Sequence, residues 1–95
     1  MYYIENKEII LLHSSKFGLS PRTLIGKYSD SHLVLIKDRK SRIIMKDGRQ
    51  ILEQIRVIKS HAPEAEIHLA TYAPVCGKTI KYLNEKGIRI YSLEK

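Results

Sequence analysis

The stretch DSHLVLIKDRKSRIIMK, Asp30 to Lys46, sets a carboxylate and an ammonium at the two ends of a pair of short apolar runs. Folded back about Asp38-Arg39-Lys40-Ser41, it brings Asp30 near Lys46. Pairing Lys37 with Arg42 puts Leu33 opposite Lys46, and Asp30 falls just beyond that pair. Asp30 is then a ligand for a hard divalent cation such as Mg²⁺, which takes oxygen ligands. Lys46 is placed to stabilise charge on a phosphate. Together they are part of the equipment for metal-assisted phosphodiester hydrolysis, in which the ion polarises the phosphate and activates water. One carboxylate holds such an ion poorly. A second acid two residues before the lysine would share its strand face, and that position is Ile44.

Polar residues that follow offer partial replacements. Asp47 is adjacent to Lys46, but on a strand it turns to the opposite face, and it suits a helix cap. Glu53 lies nearly two turns into the next helix and off the face marked by Ile51, Ile55 and Ile58. It reads as a solvated residue, or as a third catalytic candidate if the helix turns it inward. Gln50 is a further candidate on the same helix.

The same region is strongly basic. From Lys37 to Arg49 it carries Lys37, Arg39, Lys40, Arg42, Lys46 and Arg49 against Asp38 and Asp47, a net +4 within a chain of net +7. Each of those six side chains is a candidate phosphate contact, giving affinity without sequence specificity. A solvated turn is the alternative. Phe17 and the six tyrosines are stacking groups, but they do not interleave with the basic residues.

Two other patterns fail on spacing. Gly77-Lys78-Thr79 lacks the glycine five residues earlier that a phosphate-binding loop needs, since Tyr72 stands there. His13, His32, His61, His68 and Cys76 show no zinc-ribbon or zinc-finger spacing.

The elements that must position these groups follow from patterning. YYI and EIILLH read as a hairpin about Glu5-Asn6-Lys7. Ser20-Pro21 opens either a short helix over Arg22–Lys27 or an irregular loop. HLVLIK and RIIMK are unbroken apolar runs, as expected of strands covered on both faces. A helix begins at Asp47-Gly48, with Gln50 reaching back, and Pro63 stops it. EIHLATY is a strand. PVCGKTIKYLNEK is a helix with Cys76, Ile80 and Leu83 on one face, and Gly87 caps it. IRIYSL is the last strand. The expected fold is α/β: an antiparallel hairpin feeding βαβαβ, the three strands parallel and the helices packed on the sheet.

A chain of 95 residues suits one domain, with a β-rich segment over 1–29 and an α/β core over 30–95. Its 43% hydrophobic content supports one modest core and excludes a disordered chain. No apolar run approaches the ~20 residues of a membrane span, no signal-peptide pattern is present, and a single cysteine excludes an internal disulfide. A cytoplasmic location follows as the expectation. Abundant lysine and isoleucine with few amides are similar to a heat-adapted composition. The apolar segments YYI and EIILL mark the surface where a homodimer or a partner protein would pack.

The order of Asp30, the Ile44-Met45-Lys46 position, helix, strand, helix and GIRIYSL resembles the PD-(D/E)XK, restriction-endonuclease-like superfamily. The nearest likeness is to small archaeal Holliday-junction-resolvase-like members. In that family an aspartate opens the second core strand, the next strand carries Glu-x-Lys, and a glutamine on the following helix often faces the site. The resemblance implies a metal-binding role for Asp30, retention of Lys46, loss of the glutamate at Ile44, and Gln50 or Gln54 as the helix glutamine. Thr71, at the end of its strand, fits the same pattern. Three functional readings stand: a nucleic-acid-binding protein, of DNA above all, with an incomplete nuclease site; an active Mg²⁺-dependent endonuclease; and a protein-interaction subunit whose charge is incidental.

Overall fold

In the computed structural model, residues 1–94 are described. The chain opens with a hairpin of β1 (Tyr2–Ile4) and β2 (Lys7–Leu12), with Tyr2 opposite Ile9 and Ile4 opposite Lys7. Its turn residues Glu5 and Asn6 have φ of 50° and 66°, the left-handed pair that matches a tight turn to the twist of its strands. A 3₁₀ turn, Ser14–Phe17, leads to a second hairpin of β3 (Leu24–Ser29) and β4 (His32–Lys37). Helix α1 (Met45–His61) then crosses to β5 (Glu66–Thr71), and α2 (Gly77–Glu85) to β6 (Ile90–Ser92). The strands form one mixed sheet in the order β1-β2-β3-β4-β5-β6, with β4, β5 and β6 parallel.

The two faces of the sheet bury separate cores. On one, Ile51, Leu52, Ile55 and Ile58 of α1 and Leu83 of α2 pack on Leu33, Leu35, Ile67 and Leu69. Side chains of this size each gain about 1.5–3 kcal/mol on burial. On the other face Val34, Ile36 and Ala70 meet Ile4 and Ile9 of the first hairpin and Leu93. The hairpin is drawn over that face because β1 also meets the chain just beyond β6: the Glu94 amide donates to the Tyr3 carbonyl at 2.8 Å. The sheet therefore curls almost closed.

Several sequence expectations change here. The run Arg42–Lys46 is not a strand. Ile43 makes a single parallel bridge to Val75, Ile44 is the helix N-cap, and Met45 and Lys46 are already helical. β4 has β3 on one side and β5 on the other, so it has no free edge for a returning hairpin partner. An apolar run without alternation fits a helix start as well as a strand. The antiparallel partner of β4 is β3, and Leu24–Lys27, open between helix and loop in the sequence, is strand. In α2 the buried residues are Thr79 and Leu83, while Ile80 is exposed. Gly87 has φ of 78° and closes α2 as expected, with the Ile88 amide donating to Leu83 and the Gly87 amide to Asn84.

Two glycines mark close approaches. At Gly26 a Cβ would overlap the buried Cγ2 of Ile9, so this glycine lets the first hairpin lie down on the sheet. At Gly48 a Cβ would sit 2.7 Å from Cγ2 of Thr79, where α1 touches α2. Gly26→Ala is expected to destabilise the fold by about 1–3 kcal/mol, the usual cost of overpacking. Urea denaturation checks this, and an unchanged midpoint would show that the hairpin is not seated against β3.

Candidate functional site

The carboxyl ends of parallel strands are where open α/β sheets hold their ligands. Here that end comprises Lys37 and the loop after β4, Thr71 and the loop after β5, and the first turns of α1 and α2. Lys37 closes β4 on the same face as Leu35 and points at α1, where its Nζ donates to Oε1 of Gln54 at 3.0 Å. Burial lowers the pKa of the Lys37 ammonium, Arg39 lowers it further, and Asp47 opposes them. Thr71 fixes the strand end: its hydroxyl donates to the Lys37 carbonyl at 2.8 Å and accepts from the Ala73 amide at 3.0 Å.

The loop leaving β4 is held by a clamp. The Arg39 guanidinium meets both Asp47 oxygens, at 3.3 and 2.9 Å, and also donates to the carbonyls of Ser41 and Arg42. Asp47 accepts in turn from the Ile44 amide at 3.0 Å, as an acid at the third helical position does. That amide, then Arg39, holds the Asp47 carboxyl below its ordinary value. Ile43 stitches this loop to the next one, donating to Pro74 and accepting from Cys76. The starts of α1 and α2 are thereby fixed side by side. Asp38 points to the other face, where it accepts from the Tyr2 hydroxyl at 2.7 Å and pushes that phenol up to about 12.

The expected Asp30–Lys46 pairing does not form. Asp30 lies in the turn between β3 and β4, fully exposed and 3.5 Å from Lys27. It borders the segment just beyond the carboxyl end of α1, while Lys46 lies in that helix's first turn. A helix of 17 residues is about 25 Å long, and roughly that length separates them. The cause is topological: in the β3–β4 hairpin Asp30 closes β3 instead of opening the strand beside Lys46. Ile44 is 49% exposed at the N-cap, not in the core. Glu53 is solvated and pairs with Arg56 at 2.9 Å. Gln50 is exposed, and Gln54 is the helix glutamine that faces inward.

The six basic candidates divide. Lys37 and Arg39 are turned inward and engaged. Lys40, Arg42, Lys46 and Arg49 are exposed. Of the histidines, His32 lies 2.7 Å from Glu66, and His68 uses Nδ1 to accept from the Arg89 amide. Among the described residues no three His, Cys, Asp or Glu side chains gather as a metal-holding group, and no helix is long and apolar enough to cross a membrane. Sequence reasoning missed the role of Lys37 as an inward-facing residue. The signal was its place at the end of an apolar run, where alternation puts it on the face of Leu33 and Leu35.

No protein-family model matches this chain, and no curated protein sequence matches it. Among solved structures it is similar to the endonuclease EndoMS in its apo form, with a TM-score of 0.66 and 16% sequence identity. The likeness covers 97% of this chain and 38% of that one, so this chain spans well under half the length of EndoMS. The fold is thus nuclease-like, a mixed six-strand sheet with two helices packed on it, consistent with a restriction-endonuclease-like core.

The Arg39–Asp47 clamp has a consequence for pH. A carboxyl held below its ordinary value of 3.8 stabilises the fold above that value, and the stabilisation is lost as pH falls through the lower folded one. Asp47→Asn is expected to cost roughly 0.5–2 kcal/mol at neutral pH, as loss of a helix-capping group does. The difference from wild type should shrink below pH about 4. Thermal melts across pH check it, and a constant difference down to pH about 2 would show that the Asp47 charge contributes nothing.

Proposed function

We propose that this chain is a nucleic-acid-binding domain with a nuclease-like fold and an incomplete nuclease site. The observation that carries the reading is Lys37, at the end of β4, with its ammonium on Gln54. In the family that the sequence resembles, the Glu-x-Lys lysine ends the strand that a helix, a strand, a helix and a last strand follow. Here the strand with that sequel is β4, so Lys37 takes the part expected of Lys46, and Gln54 that of the helix glutamine. The acid position two residues before Lys37 is Leu35, fully buried in the core.

The second acid position supports the same reading. An aspartate opening β3 on the face of Lys37 would stand at Ile25, which pairs with Leu35, while Leu24 before it packs on the other face. Both carboxylate positions are therefore aliphatic, and Mg²⁺ would find no oxygen ligands between them. Asp30 stands about a helix length from Lys46, and Glu53 pairs with Arg56, so this reading assigns no catalysis to the three. What this end of the sheet keeps is positive charge: Lys40, Arg42, Lys46 and Arg49 face solvent. On the same reading a second copy packs against the first hairpin at Ile10 and Leu11, which are 62% and 50% exposed. Sedimentation giving a monomer at high concentration would rule out that association.

Binding is expected to weaken steeply with salt, because each phosphate neutralised releases condensed counterions. Four contacts give a slope of log K against log salt of about −3.6 on duplex DNA. Fluorescence anisotropy with a labelled duplex measures it. A flat signal at low salt and high protein concentration would remove nucleic acid as the partner.

A further inference from the structure

The six basic residues singled out in the sequence all precede Gln50, yet the cationic surface does not end there. We propose that Lys78 and Lys81 of α2 join Arg49 as phosphate contacts in the groove between α1 and α2, which brings the contacts to six and the expected slope for the full chain to about −5.4. The bound nucleic acid is then a duplex lying across both helices. The inference rests on the nucleic-acid-binding reading and extends it to α2, which that reading leaves unused.

The groove is lined by Met45, Arg49, Lys78, Lys81, Tyr82 and Glu85. Its geometry follows from two contacts. The bridge between Ile43 and Val75 starts α1 and α2 side by side. The close approach of Gly48 to Thr79 then presses their first turns together. Arg49 follows that glycine and Lys78 precedes that threonine, so two cations flank the point of contact from opposite helices. Lys81 lies one turn further along α2, on the same groove. Thr79 is fully buried and Arg49, Lys78 and Lys81 are exposed. None of the three is in an ion pair among the described residues. Glu85 is the one acid in the lining, so the groove is net positive.

Position and rigidity favour a duplex. Lys40, Arg42 and Lys46 stand at the same end of the molecule, on the loop and the first turn of α1, and the clamp of Arg39 on Asp47 holds that loop to the helix. Packed helix axes lie about 8–10 Å apart, and α1 is long enough to run beside about seven base pairs at 3.4 Å each. Charges fixed on two helices at such spacing meet a backbone whose phosphates are themselves fixed. The one aromatic ring in the groove's lining, Tyr82, is half-buried, and a single ring makes no platform on which successive unpaired bases would stack.

The test compares three proteins by anisotropy on a labelled duplex, from about 50 to about 200 mM salt. They are the full chain, the Lys78→Ala/Lys81→Ala variant, and a Lys86→Ala/Arg89→Ala variant. The last removes the same charge from the opposite end of α2 and the start of β6. The α2 variant is expected to lose on the order of tenfold or more in affinity at about 0.1 M salt, with a slope smaller by about 1.8. The control variant should follow wild type. Unchanged binding by the α2 variant, or equal losses in both variants, would overturn the inference and leave the nucleic-acid reading standing. Tighter binding to a single strand of the same length would overturn the duplex assignment. Absence of wild-type binding at low salt would overturn the underlying reading, and the inference with it.

Discussion

The arrangement of this molecule depends on β4 being paired along both edges, antiparallel to β3 and parallel to β5. A strand so enclosed buries both faces, and Leu33 to Ile36 are all in the core. The chain that leaves it has no edge to return along and must pass over the end of the sheet. That passage is short and charged. It is held because Arg39 satisfies two loop carbonyls and both oxygens of Asp47, while Asp47 takes the first free amide of α1. Ile43, bonded to both Pro74 and Cys76, ties the second crossover to the first. The end of the sheet, the starts of both helices and the basic surface are consequences of one doubly paired strand.

The same constraint bears on the proposal that the nuclease site is incomplete. On that proposal the two carboxylate positions beside Lys37 are Leu35 and Ile25, and both lie within the packed layer between sheet and α1. An unpaired carboxylate there costs several kcal/mol unless a cation neutralises it. An aliphatic side chain contributes to the core instead. Lys37 persists with a half-buried ammonium because Gln54 accepts from it and its stem lies along apolar surface. The exposed cations Lys40, Arg42, Lys46 and Arg49 depend on none of this packing.

Much of the fold was legible from patterning. The Glu5-Asn6 turn, the strand over EIHLAT, the stop before Pro63, the cap at Gly87 and the burial of Ile51, Ile55 and Ile58 each follow from a local rule that the tertiary structure leaves alone. The candidate site was less legible for one reason. The apolar runs HLVLIK and RIIMK look equivalent in sequence, and which of them is the second strand of a hairpin depends on what occupies the neighbouring edge. Leu24–Ser29 occupies it, and that stretch carries Gly26 and two polar residues that weaken its strand signal. With β3 in place, Asp30 stands at the far end, and Lys37, not Lys46, closes a strand at the near one. The role of Arg39 as a clamp rests on its long-range contact with Asp47, with no sequence spacing to announce it.

The central claim is the proposed one, that a nuclease-like fold carries an incomplete nuclease site and binds a duplex without cutting it. Single-turnover incubation of a labelled duplex with excess protein, in Mg²⁺ and separately in Mn²⁺, tests it most directly, with Lys37→Met alongside. The account predicts a bound and intact duplex with both proteins in both metals. Cleavage by the wild-type chain that is abolished in Lys37→Met would contradict it, because carboxylates from elsewhere would then have to complete the site around that lysine.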